Sequence, residues 1–120
     1  MILPKGVVQF RERMKKEVNG KVASIVLYGS VARGDAKRDS DIDIFILTKG
    51  NAYNKKNAKL RERIFDIANE IDLENVTLTS VVYFPVKKFL KRRSFDPFLK
   101  NVMKDGIVLY DKGIFKKSSR

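Results

Sequence analysis

Hydrophobic positions along the chain change period several times, and each change marks an element. After Pro4, which suits the first turn of a helix, Val7, Phe10, Met14 and Val18 recur at three- and four-residue intervals, with Arg11, Arg13, Lys15, Lys16 and Glu17 around the other sides. This predicts an amphipathic helix that Asn19-Gly20 stops. Val22 to Tyr28 is a continuous β-branched and apolar run between glycines, the mark of a buried strand. From Asp41 to Thr48 the set Asp41, Asp43, Phe45, Leu47 alternates with Ile42, Ile44, Ile46, predicting a second strand covered on both faces.

Leu60, Ile64, Ile67, Ala68 and Ile71 return to helical spacing after a connection from Lys49 to Asn54. Val76 to Phe84, rich in Val, Thr and Tyr, predicts a third strand that Pro85 ends, because proline cannot continue a central ladder. Two short helices are expected at Val86 to Arg92 and Pro97 to Lys104, the second capped by Asp96 and closed by Gly106. Ile107 to Tyr110 reads as a short edge strand, and the basic tail from about Lys112 to Arg120 is expected to fray. The whole predicts one domain over 1–120 of α/β class: a single mixed sheet of three to four strands, with helices mainly on one face.

Composition narrows the chemistry. The 120 residues contain neither Cys nor His, which removes disulfides, thiol nucleophiles, imidazole bases and nearly every zinc site. Carboxylates remain as the plausible metal ligands or bases. The sequence has no apolar run long enough to span a membrane and no export signal at its start, so a soluble cytoplasmic protein is expected. Of the net charge of +12, residues 86–120 carry +8, from eleven basic and three acidic side chains. Such a field attracts polyanions, whether nucleic acid, an acidic protein or nucleotide phosphates, and it also suits a heavily solvated surface. The cluster Lys87, Lys88, Lys91, Arg92, Arg93 spans nearly all sides of its short helix, marking either a contact surface or a solvated one.

Between the first two strands lie Gly29-Ser30-Val31-Ala32-Arg33-Gly34-Asp35 and then Ser40-Asp41-Ile42-Asp43, with ten residues between Ser30 and Asp41. A strand that ends in Gly-Ser and turns into a short helix offers free N–H groups and a hydroxyl to a phosphate, and Gly29 lets the ligand approach the backbone. Asp41 and Asp43, two apart on a strand, project from one face roughly 7 Å apart and can bracket divalent ions. Hard oxygen donors point to Mg²⁺ or Mn²⁺. Arg33 either reaches a phosphate or pairs with Asp35 or Asp39.

These residues carry a resemblance. GSVARGDAKRDSDIDIFIL is similar to the signature of the minimal nucleotidyltransferases, small relatives of the DNA polymerase β superfamily, whose pattern is Gly-Ser, ten residues, Asp-x-Asp. VVYFPVKKF and SFDPFLKNVMKDGIVLY are also similar to the end of archaeal and bacterial members, though less specifically. The resemblance implies the nucleotidyltransferase fold and Mg²⁺-dependent transfer of a nucleoside monophosphate, AMP from ATP, to an acceptor hydroxyl. In that reading Asp41 and Asp43 are catalytic and hold the metal, while Gly29, Ser30 and Arg33 bind the nucleotide. It also implies a small helical HEPN partner, with the two proteins acting as toxin and antitoxin and the partner's tyrosine as acceptor. Nucleic acid is a less favoured partner, since no recognition motif is visible.

One departure stands out. Catalytic superfamily members carry a third carboxylate on a neighbouring strand, and here Ser80 or Thr79 falls at that place, while Asp72 and Glu74 come too early and read as solvated loop acids. The alternative function is therefore a nucleotide- or partner-binding module with weak or absent turnover. Tyr28, Tyr83, Tyr110 and the eight Phe read as core, with Tyr53 the exception, in a polar loop beside the mouth of the site.

Overall fold

A computed structural model describes residues 2–18, 20–37 and 41–115. Helix α1 (Lys5–Glu17) leads into β1 (Val22–Tyr28), a single helical turn α2 (Gly29–Arg33) and β2 (Ile42–Thr48). Helix α3 (Ala58–Asn75) crosses to β3 (Thr79–Pro85), and α4 (Val86–Arg92), α5 (Pro97–Asp105) and β4 (Ile107–Asp111) complete the order. The strands form one sheet in the order β3-β2-β1-β4. β1 is antiparallel to both β2 and β4, whereas β2 and β3 are parallel because α3 carries the crossover between them. The end of β1 and the starts of β2 and β3 therefore meet at one end of the sheet.

The alternation along β2 decides what each face holds. Ile42, Ile44 and Ile46 join Ile25 and Leu27 of β1 against Val7, Phe10 and Met14 of α1 and Ile64, Ile67 and Ile71 of α3. Phe45 and Leu47, with Ala23 and Val26, face Phe89 of α4, Leu99 and Val102 of α5, and Phe115. The two longer helices share one face, as expected, but the other is not bare: the two shorter helices close most of it.

Three expectations need correction. The third strand begins at Thr79, not Val76, because α3 continues to Asn75 and Val76 takes a left-handed conformation at φ 54°. The cause is local: the Asp72 carboxylate accepts hydrogen bonds from the Thr77 hydroxyl and from the N–H and hydroxyl of Thr79, at 2.7 to 2.8 Å. Asp72 and Glu74 are accordingly residues of α3 and not of a loop, and Asp72 is fully engaged. The tail is also ordered further than expected. Asp111 accepts from the N–H groups of Ile114 and Phe115, and Phe115 is completely buried, so the chain is anchored up to that residue. Residues 116–120 and Asn19 lie outside the described residues. Pro85 ends β3 at the sheet's edge, where a missing N–H is tolerated.

Candidate active site

At the end of β1 the backbone turns through Gly29, whose φ of 75° only glycine adopts without strain, into the turn α2, which Gly34 closes at φ 80°. Tyr28 is the register partner of Asp43 across the antiparallel pair. The Gly29 α-carbon consequently stands against the Asp43 carboxylate so closely that a methyl group placed there would fall on Asp43 Oδ2. The glycine-serine corner and the second aspartate thus converge. Ser30 is half-buried beside them, and its hydroxyl has no partner among the described residues.

Asp41 lies exposed just before β2, and by strand alternation it shares Asp43's face. Burial pushes the Asp43 carboxyl above the ordinary carboxylate range, the nearby Asp41 charge pushes it further, and Arg33 opposes both. Two like charges at the corner therefore leave room for a cation. Arg33 donates through Nε to Asp35 at 3.3 Å and reaches Asp105 of α5 at 3.9 Å. Its pairing with Asp35 was one of the options the sequence offered; Asp39 and Ser40 lie outside the described residues.

The place of a third carboxylate is settled by register. Ser80 is paired with Asp43 and Thr79 with Ile42, so Ser80 occupies the position on β3 beside Asp43, on the same face and exposed. Among the described residues, no cluster of three acidic side chains is arranged to hold a metal. The two aspartates present a hard-oxygen pair that fits a divalent cation keeping several waters.

Sequence reasoning missed the aromatic contribution. Phe98, in the first turn of α5, packs edge to face on Tyr28 with ring centres 5.6 Å apart and also lies 6.0 Å from Phe45. It is partly exposed, as are Phe65 and Phe95, so these three are not core residues. The available signal was the Asp96-Pro97 cap, which fixes where α5 starts and hence which first-turn residue points over β1. Tyr28 has its hydroxyl pKa raised by burial, by Asp43 and by Tyr53. Tyr53 itself is exposed; its hydroxyl accepts the Tyr83 N–H at 3.0 Å across the outer edge of β3.

A mixed four-stranded sheet with a glycine-serine corner facing an aspartate pair is the architecture of a nucleotidyl-transferring domain. The chain belongs to the nucleotidyltransferase domain family, which matches residues 7–109. It is 27% identical over 106 residues to the proposed protein adenylyltransferase MJ0604 of Methanocaldococcus jannaschii, covering 88% of this chain and 96% of that protein. The proposed protein adenylyltransferase MJ0141 of the same organism is 28% identical over 91 residues, covering 75% and 85%. Among solved structures, a toxin-antitoxin crystallised with AMP-PNP is similar over 93% of this chain and 82% of that one, at TM-score 0.59 and 19% identity. A mutant toxin-antitoxin MntA-HpeT is similar over 90% and 79%, at TM-score 0.56 and 18% identity. Those two likenesses establish the shared fold.

Proposed function

We propose that this chain, acting as one minimal domain, moves AMP from ATP to a hydroxyl of a partner protein, with pyrophosphate leaving. The observation that carries the reading is the convergence of Gly29 and Asp43, which brings a backbone corner suited to phosphates against a carboxylate pair suited to a cation. Asp41 and Asp43 would hold Mg²⁺ or Mn²⁺, which when bound supplies charge stabilisation for a developing oxyanion. Gly29 leaves space for the ligand, Ser30 offers its unpartnered hydroxyl, and Arg33, at the closing end of α2, turns a guanidinium toward the same region. Without His or Cys, the acceptor hydroxyl has only carboxylates to take its proton.

The names of the archaeal relatives favour a protein acceptor, and the toxin-antitoxin structures favour a cognate partner, which we take to be a small helical protein of HEPN type. No helix among the described residues is long and apolar enough to cross a membrane, which fits a cytoplasmic role. Incubating the chain with α-labelled ATP and Mg²⁺, with and without its helical partner, tests the proposal. Label on the partner that disappears with Asp41→Ala and with Asp43→Ala is the expected result; ATP binding with an equally unlabelled partner in all three proteins refutes transfer.

That second outcome would support the other reading, a nucleotide- and partner-binding module with little turnover. The observation in its favour is Ser80, the neutral side chain beside Asp43.

A further inference from the structure

A cleft of about 610 Å³ opens at the outer part of β3, lined by Asn51, Tyr53, Val82, Phe84, Lys88 and Phe98 among others. It continues the face that bears the acids. Ser80, Val82 and Phe84 alternate along β3 and are register partners of Asp43, Phe45 and Leu47, so the floor of the cleft extends the row that starts at Asp43. The separation along the strand is roughly 7 to 13 Å. Phe98 joins the two regions, because the ring that packs on Tyr28, opposite Asp43, also walls the cleft.

The lining has a definite chemical character. Its walls are aromatic and apolar, and its polar groups are donors. Lys88 stands over the Phe84 ring at 5.2 Å and has no carboxylate partner among the described residues. Asn51 Oδ1 accepts the Tyr53 N–H at 2.9 Å, which orients the amide and leaves its Nδ2 as the free donor. The Tyr53 hydroxyl already accepts from Tyr83 and so has its own proton to give. Among the described residues, no carboxylate lines the cleft. A flat ring with acceptors on its edge fits these walls and donors, and a purine offers both a larger stacking face than a pyrimidine and the N7 acceptor common to adenine and guanine.

We propose that this cleft is the base subsite of the nucleotide whose phosphates lie at the Gly29-Ser30 corner, with Phe98 as the stacking wall and Lys88 and Asn51 as donors to the purine edge. The proposal rests on the nucleotidyltransferase reading of that corner. It assigns base selection to α4, α5 and the loop after β2, elements that carry none of the Gly-Ser and Asp-x-Asp signature.

Calorimetric titration of the full chain in Mg²⁺ with ATP, GTP, CTP, UTP and inorganic tripolyphosphate tests it, using the wild type, Phe98→Ala, Phe98→Leu and Lys88→Gln. Purine triphosphates are expected to bind more tightly than pyrimidine triphosphates and than tripolyphosphate. Phe98→Ala should weaken ATP binding by about tenfold or more while leaving tripolyphosphate unchanged. Lys88→Gln, an exposed substitution that spares the core, should weaken purine binding several-fold and narrow the difference between purines and pyrimidines. Phe98→Leu keeps bulk against Phe45, so it separates loss of stacking from loss of folding. Unchanged ATP affinity in Phe98→Ala and Lys88→Gln, or equal weakening of ATP and tripolyphosphate, overturns the base subsite while the phosphate corner stands. If tripolyphosphate and every nucleotide fail to bind the wild type, the reading of the corner fails and the subsite with it.

Discussion

The two faces of the sheet are built from different side chains and serve different ends. Under α1 and α3 the contacts are mostly aliphatic, with Ile44, Ile46, Ile64 and Ile67 fully buried. Branched aliphatic side chains interdigitate at close to crystalline density, so the centre of this face closes, and a cleft of about 480 Å³ between α3 and β3 opens at its margin. Under α4 and α5 the large residues are mostly aromatic. Phe45, Phe89 and Phe115 are fully buried, while Tyr28, Phe84 and Phe98 form a partly open fringe that adjoins Asp43. Flat rings meeting at 6.0 to 6.2 Å and at tilted angles leave gaps at their margins that aliphatic packing would fill. One face therefore concentrates burial, whereas the other holds part of the core and the candidate chemistry side by side.

The contrast is broken hardest at the acids. Asp43→Asn is expected to reduce nucleotidyl transfer at least a hundredfold, because it removes a charged cation ligand from the corner. It should leave the metal-free protein as stable or more so, since burial and Asp41 already disfavour the ionised form. The sign follows from the direction of the shift. A carboxyl whose folded pKa is raised is favoured by folding when protonated, so its stabilising contribution is present at low pH and is lost as pH rises through the folded value. Cation binding runs the other way, because it needs the ionised pair. The Mg²⁺-dependent rise in melting temperature should therefore be larger near pH 7 than near pH 4, and a rise independent of pH would dissociate Asp43 from the metal.

On the opposite face, Ile64→Ala should cost about 2 to 5 kcal/mol in urea denaturation while leaving nucleotide preference intact. If base selectivity changed as much as stability, the two faces would not be functionally separate. Gly29→Ala joins both effects. The left-handed φ penalises any β-carbon by about 1 to 3 kcal/mol, and the added methyl also displaces the Asp43 carboxylate. Transfer should fall about tenfold or more, a larger proportional loss than an equally destabilising substitution in α3 would cause.

How far these faces could be read in advance depended on the range of the interactions that set them. β1, β2 and the convergence at Gly29 and Asp43 were legible because uninterrupted apolar runs between glycines and a two-residue alternation are local patterns. The pairing of Ser80 with Asp43 was also within reach, since a parallel strand ending at Pro85 leaves little freedom of register. By contrast, the start of β3 was misread, because Val76-Thr77-Leu78-Thr79 has strand composition yet Asp72 ties both threonines back onto α3. Phe115 sits in a basic tail with no periodicity, and what buries it is packing on residues far away in sequence, with its ring stacked on Phe89 at 5.7 Å within the α4–α5 cluster. The contact of Arg33 with Asp105 spans 72 positions and left no trace in the pattern. Nor does a phenylalanine reveal from its identity whether it fills a core, as Phe89 does, or borders a cleft, as Phe98 does.

A smaller effect sharpens the comparison from within the corner. Ser80→Asp would place a third carboxylate beside Asp43 on the open face. It should raise Mg²⁺ affinity several-fold and lower stability in the absence of the ion, because three acids would then repel one another. Higher turnover in this variant would identify the missing acid as the brake on the reaction; tighter Mg²⁺ binding without faster transfer would place the limit elsewhere.

The smallest effect concerns how α5 holds Phe98 in place. Asp96 caps that helix, accepting from the Phe98 and Leu99 N–H groups at 2.9 and 3.2 Å. The Leu99 N–H is the main cause that holds its carboxyl below the ordinary range; desolvation, the next largest effect, opposes it, and the Phe98 N–H and Arg92 reinforce the lowering. Stability linked to a depressed pKa is present above the ordinary carboxylate value and is lost as pH falls through the folded value. Asp96→Ala should therefore lower the melting temperature slightly at neutral pH and have less effect in acid, whereas Asp96→Asn keeps a cap acceptor and should change little at either. If the cap also positions Phe98, Asp96→Ala will weaken ATP binding more than tripolyphosphate binding. Unchanged discrimination would mean that the ring is held by Tyr28 and Phe45 alone.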